Sequence, residues 1–125
     1  MIKKLLVILV LLLPTTALAE TQLIMMHHPG CPYCNNFLSE VKDDYIKSKY
    51  NRILPLIIMN LSKPKTGWWI KTHLSTPIRG TPTFIIWDVE QNKELDRIIG
   101  YANKKYFFFV LDKIIEMRKL KNSSI

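Results

Sequence analysis

Apolar residues along this chain fall into short blocks, separated by polar stretches that carry its prolines and glycines. QLIMMHH, residues 22–28, packs Leu23, Ile24, Met25 and Met26 into one run and reads as a short buried strand. Pro29 and Gly30 then break the chain. From Cys34 onward the apolar positions become Phe37, Leu38, Val41 and Tyr45, the spacing of one helix face. Pro32 suits the first turn of that helix, where a missing N–H costs nothing. ILPLIIMNL, residues 53–61, is a second apolar strand with Pro55 near its start, SKPKTG is a loop, and WWIKTHL, residues 68–74, is a short helix. TFIIWD (83–88) and ELDRII (94–99) flank the polar turn VEQNK as a hairpin, and an amphipathic helix opens at Asn103 or Lys104 and runs to about Lys119.

The predicted order is strand, helix, strand, helix, hairpin, helix. A strand–helix–strand unit favours parallel pairing with a right-handed crossover, whereas a hairpin is antiparallel. The expected class is therefore α/β, a mixed four-stranded sheet (βαβαββα) with helices on both faces. One of Trp68 and Trp69 should pack on that sheet while the other can stay exposed. Phe107, Phe108 and Phe109 are consecutive and cannot share one helix face, so at least one should be peripheral.

The first twenty residues set the compartment. Lys3 and Lys4 precede an apolar run from Leu5 to Leu13, followed by Pro14 and by Ala17-Leu18-Ala19. Charged, then apolar, then small is the layout of a secretory leader over residues 1–19, with the mature domain at 20–125. The run is shorter than the roughly 18–20 apolar residues that span a bilayer, so no stable membrane insertion is expected after cleavage. The location expected is periplasmic, in a Gram-negative type of cell. The formal net charge is +8, and beyond Lys3 and Lys4 the basic residues are spread from Lys42 to Lys121 rather than massed in one segment. Nucleic-acid binding asks for a stripe or cluster, so no nucleic-acid partner is expected.

The chain has two cysteines, both in HHPGCPYCNNF. They could be a redox pair, half of a metal site or a structural staple. A staple gains most from closing a long loop, and this pair closes almost none. Cys31 would stand at the helix start, beside free backbone N–H groups and the positive end of the helix dipole, which favour thiolate over thiol. Cys31 is then the nucleophile. Cys34, one turn inside and more buried, is the resolving residue that would release product from a mixed disulfide. His28 could tune the thiolate or shuttle a proton. Pro32, between the cysteines, is a second candidate for tuning, and Tyr33 should flank a substrate groove. His73 has no evident role.

IRGTPTF, residues 78–84, leads into the third strand through Thr81 and Pro82. Proline in a sheet is confined to strand starts and edges. A cis Thr81–Pro82 bond would leave the Thr81 backbone free to pair with an extended peptide; a trans bond is the commoner state, cis accounting for about 5–6% of X–Pro bonds.

CPYC after a strand, a Thr-Pro step into a hairpin, and a terminal amphipathic helix together resemble the thioredoxin superfamily across nearly all of the mature chain. The H-x-G-C-P-Y-C type of opening, G-T-P-T-F and a late I-x-G-Y are similar to small periplasmic thioredoxin-like proteins of bacterial sulfur-oxidation gene clusters. The resemblance implies that Pro82 is a cis-proline packed against the active disulfide and that Thr81 contacts substrate backbone. Two departures bear on its role. Thioredoxins proper carry a buried carboxylate in the first strand, where this chain has Met25 and no acidic residue from Thr21 to His28. Glutaredoxins pair CPYC with T-V-P and a later G-G…D signature, where this chain has GTPT and IIGYAN. The expected activity is thiol–disulfide exchange without a cofactor, reducing an exported disulfide-containing client and recharged by a membrane thiol electron conduit. The rival expectation is a Cu(I) or Zn(II) carrier using His27, His28, Cys31 and Cys34, with Met25, Met26 and Met59 as added soft donors. Methionines inside apolar strands serve more often as core filler, and no metal site is expected.

Overall fold

The computed structural model describes residues 20–121. The expected leader at 1–19 lies outside the described residues. The elements are β1 (Thr21–His27), α1 (Pro32–Glu40), α2 (Lys42–Lys47), α3 (Tyr50–Ile53), β2 (Leu56–Asn60), α4 (Pro64–His73), β3 (Thr83–Asp88), β4 (Lys93–Ile99) and α5 (Lys104–Arg118). The sheet order is β2-β1-β3-β4. β1 and β2 run parallel, with Leu23 opposite Leu56 and His27 opposite Asn60. β3 is antiparallel to both β1 and β4. The sheet is mixed and four-stranded, as the order of the blocks implies, and its arrangement is the thioredoxin-like one that the resemblance implies. Ile86 faces Asp96 while Trp87 faces Glu94, so Leu95 is the extra residue of a β-bulge.

Alternation along the strands divides the core. Leu23, Met25, Phe84 and Ile86 join Phe37 of α1 and Phe107, Leu111 and Ile114 of α5 on one face. Ile24, Met26, Ile85 and Trp87 meet Trp69 and Ile70 of α4 on the other. Both faces are covered, which is why β1 is an unbroken apolar run rather than an alternating one. Phe37 lies at the centre of the larger cluster, its ring 4.7 Å from Phe84, 5.0 Å from Phe107 and 5.5 Å from Tyr101. Phe107 is buried, Phe108 is half-buried and Phe109 is exposed, as three consecutive positions on one helix require. Trp69 packs 5.0 Å from Trp87, whereas Trp68 is 64% exposed. His73 has a structural place that its sequence context hid: it stacks on Trp69 at 4.7 Å, and its Nδ1 is 2.9 Å from the Trp69 carbonyl oxygen.

Three boundaries differ from the sequence expectation by more than one residue. The single helix expected through Tyr45 is interrupted at Val41, where φ is −121° and ψ is −41°. The hydrogen-bond ladder continues through the kink, Val41 N–H donating to Phe37 and Tyr45 N–H to Val41. Val41 and Tyr45 are both fully buried, and a β-branched residue loses little by leaving helical φ. The second strand starts at Leu56 rather than Ile53, because Ser48 Oγ accepts from Tyr50 N–H and opens the turn α3. Leu54 N–H closes that turn on the Tyr50 carbonyl. SKPKTG is not all loop: Pro64 starts α4 at a first-turn position, the same rule that placed Pro32 at the start of α1.

Candidate active site at the Cys31–Cys34 pair

β1 delivers the chain to an exposed turn, His28-Pro29-Gly30, from which α1 departs. His28 Nδ1 accepts from Gly30 N–H at 3.2 Å, and Cys31 N–H donates to the His28 carbonyl at 3.1 Å. Cys31 is the N-cap of α1, extended at φ −90° and ψ 109°, and its Sγ accepts the Cys34 N–H at 3.1 Å. A sulfur thus occupies the place usually filled by a serine or aspartate oxygen, at the end of the helix that favours negative charge. Cys31 and Cys34 form a disulfide, with Cα atoms 5.2 Å apart.

Access to the pair is narrower than the sequence suggests. Cys31 is 4% exposed and Cys34 is fully buried. In this oxidised form the pair meets solvent only at Cys31, and neighbouring Tyr33 stands out from the surface at 60% exposure. Met25, Phe37 and Phe84 are fully buried in the same core cluster as both cysteines. No acidic residue stands on β1, whose Leu23 and Met25 share the apolar cluster of the two cysteines.

His27 ends β1 with its Nδ1 buried and, among the described residues, without a hydrogen-bond partner. Burial first, and the neighbouring His28 second, hold its pKa below the usual imidazole value. His28 is exposed, its Nδ1 engaged by the Gly30 amide. Among the described residues no three or more His, Cys, Asp or Glu side chains come together as a metal-binding group.

The Thr81–Pro82 bond is cis. Pro82 is buried, and its carbonyl accepts Gly100 N–H at 2.7 Å, tying the start of β3 to the end of β4. Thr81 and Tyr33 line one depression of about 440 Å³, walled by Ile99, Gly100, Tyr101 and Tyr106. Of the site residues named from the sequence, Tyr33 and Thr81 face this one space, whereas Cys31, Cys34, Pro32, Pro82 and His28 are not among the residues that line it. The wall from β4 and α5 was missed, although Gly100, at φ +85°, marks a backbone turn favourable to glycine. Arg97 was missed too. Its guanidinium forms a two-pronged pair with Glu94 and donates to the carbonyls of Pro77 and Thr76, at 2.9 and 3.2 Å.

The thioredoxin-like domain family model matches residues 15–115. The chain belongs to the thioredoxin-like family. Among solved structures it is similar to the periplasmic thioredoxin SoxS from Paracoccus pantotrophus in its reduced form. That match has 26% identity and a TM-score of 0.66, over 78% of this chain and 97% of that one. Thioredoxin f2 of Chlamydomonas reinhardtii shares the fold at 12% identity and a TM-score of 0.57, over 82% and 83% of the two chains. The reduced C-terminal domain of Neisseria meningitidis DsbD shares it at 10% identity and a TM-score of 0.53, over 76% and 81%. No curated protein matches the chain. No helix among the described residues is long and apolar enough to cross a membrane. A thioredoxin-like fold with a C-x-x-C pair at disulfide distance supports thiol–disulfide oxidoreductase activity.

Proposed function

We propose that this thioredoxin-like protein is a periplasmic reductase of disulfides in exported client proteins. The reading rests above all on Cys31 Sγ standing as the N-cap of α1, accepting the Cys34 amide at 3.1 Å. In the reduced protein that position favours the thiolate. The Cys31 thiolate attacks one sulfur of a client disulfide; the client S–S bond breaks, a mixed disulfide forms, and the departing client thiolate takes up a proton. Cys34, deprotonated in turn, attacks Cys31 Sγ and closes the intramolecular disulfide as the second client thiolate leaves. Two electrons pass from the dithiol to the client. A membrane thiol conduit returns an electron pair and two protons and restores the dithiol.

Thr81 presents backbone to an extended client segment, and Tyr33, between the two cysteines in sequence, lines the same depression. Export is supported by the leader pattern of residues 1–19 and by the likeness to a periplasmic thioredoxin. The test is a pair of variants. Cys31→Ser should abolish insulin-disulfide reduction, and Cys34→Ser should accumulate mixed disulfides with client proteins in periplasmic extracts. Retained reductase activity in Cys31→Ser would overturn the assignment. A midpoint potential far above the roughly −270 mV of thioredoxin would reverse the direction, towards dithiol oxidation.

A further inference from the structure

We propose that the outer edge of β2 is a docking strip for an extended, acidic segment of a partner protein. Among the described residues β2 pairs only with β1, so its far side carries no strand. Leu61 N–H donates to His27 and the Pro55 carbonyl accepts from Leu23, both towards β1. Strand alternation then points the backbone groups of Leu56, Ile58 and Asn60 outward. Two of these are already engaged: Asn51 Oδ1 accepts Leu56 N–H at 3.0 Å, and the Asn60 carbonyl accepts Lys63 N–H at 3.0 Å. The N–H and C=O of Ile58 are left at the centre of the edge, able to take one rung of a ladder.

Exposed edges are normally protected by charge, proline or a bulge within the strand. LIIMN has none of these, and all five residues are only half-buried. Beside it lies a depression of about 780 Å³ lined by Ile58, Met59, Asn60, Trp68 and Trp69, with Lys63 and Lys65 among its walls. Trp68, exposed on α4, offers a flat apolar anchor.

Charge selects the occupant. Between Asp44 and Asp88 the sequence has seven basic residues, Lys47, Lys49, Arg52, Lys63, Lys65, Lys71 and Arg79, and no acidic one. Among the described residues none of the seven forms an ion pair. A second copy of this chain would bring like charge against like. An extended segment with alternating acidic and apolar side chains would match both the lysines and the apolar floor while adding a strand. Because β1 and β2 are parallel and His27 lies opposite Asn60, this strip ends at the same end of the sheet as the Cys31–Cys34 turn.

The experiment measures amide hydrogen exchange at Ile58 in the oxidised protein, with millimolar acetyl-Glu-Val-Glu-Val-Glu-Val-Glu-amide as the probe. The acidic peptide should slow Ile58 exchange about tenfold or more, and its all-lysine counterpart should not. The double variant Lys63→Glu, Lys65→Glu should lose most of that protection while reducing insulin disulfides at the unaltered rate. Trp68→Ala should weaken protection with the fold intact. The proposal is overturned by unchanged Ile58 exchange, by equal protection from the lysine peptide, by protection from phosphatidylglycerol vesicles but not from peptide, or by a self-dimer that already shields Ile58. The exchange readouts do not depend on the redox role of Cys31.

Discussion

Tyr101, just beyond β4, donates its hydroxyl to the carboxylate of Glu40 at the C-terminal end of α1. That end of a helix is unfavourable for negative charge, so Glu40 gains little from α1 itself. The bond instead joins the helix that carries both cysteines to the wall of the neighbouring depression. Tyr101→Phe removes the bond and spares the ring packing on Phe37. It should cost about 1 kcal/mol in urea denaturation. Glu40→Gln, which can still accept, should cost less, and a larger loss in Glu40→Gln would contradict the assignment.

Two adjacent tryptophans should behave oppositely. Trp69 stacks with His73 and meets Trp87, so Trp69→Ala should cost about 3–5 kcal/mol. Trp68 is mostly exposed, and Trp68→Ala should stay within about 0.5 kcal/mol. Chemical denaturation of the two variants side by side checks the orientation of α4.

Alkaline pH should destabilise the fold. Burial, foremost, raises the phenol pKa of Tyr45, Tyr50 and Tyr101; for Tyr50 it reaches about 12, with the Asp112 carboxylate adding to the effect. The unfolded chain releases these protons near pH 10 while the folded chain keeps them, so stability is complete below pH 10 and is lost as pH rises beyond it. Tyr45→Phe should flatten part of that decline. It should also lower stability at neutral pH by about 1–3 kcal/mol, because the buried Leu54 carbonyl loses its partner. Urea midpoints from pH 8 to 11 give the measurement.

On the acid side His27 has the opposite sign. Its pKa is lowered in the fold, so below the usual value of 6.5 the unfolded chain binds a proton that the native state resists. The His27 share of stability is therefore full above pH 6.5 and declines as pH falls towards the folded pKa. An NMR titration should place His27 below 6.5. His27→Gln should show a smaller stability loss between pH 7.5 and 5 than the parent protein.

Most of the sheet was legible because its strands are short apolar blocks bounded by proline and polar residues. The block at 53–61 misled because Ile53 and Leu54 are as apolar as any strand residue. What makes them a turn is Ser48, five positions upstream of Ile53, and a hydrogen bond from its neighbourhood carries no hydrophobic signature. The cysteine pair was legible from spacing and Pro32. The wall of Ile99, Gly100, Tyr101 and Tyr106 was not, since it comes from the far end of the chain and only the fold returns it to Tyr33. Charge was half-read: scattered lysines look unremarked until the missing acids between Asp44 and Asp88 are counted against them.

The segment between α4 and β3 has no regular structure, yet Arg97 holds it by the carbonyls of Thr76 and Pro77. Its position is inherited in part from β4, through a guanidinium set into a neighbouring strand, while Leu74 and Ile78 pack on the second core cluster. If Thr81 receives a client as proposed, its approach is a preset contour, which an arriving chain would match without first having to shape it.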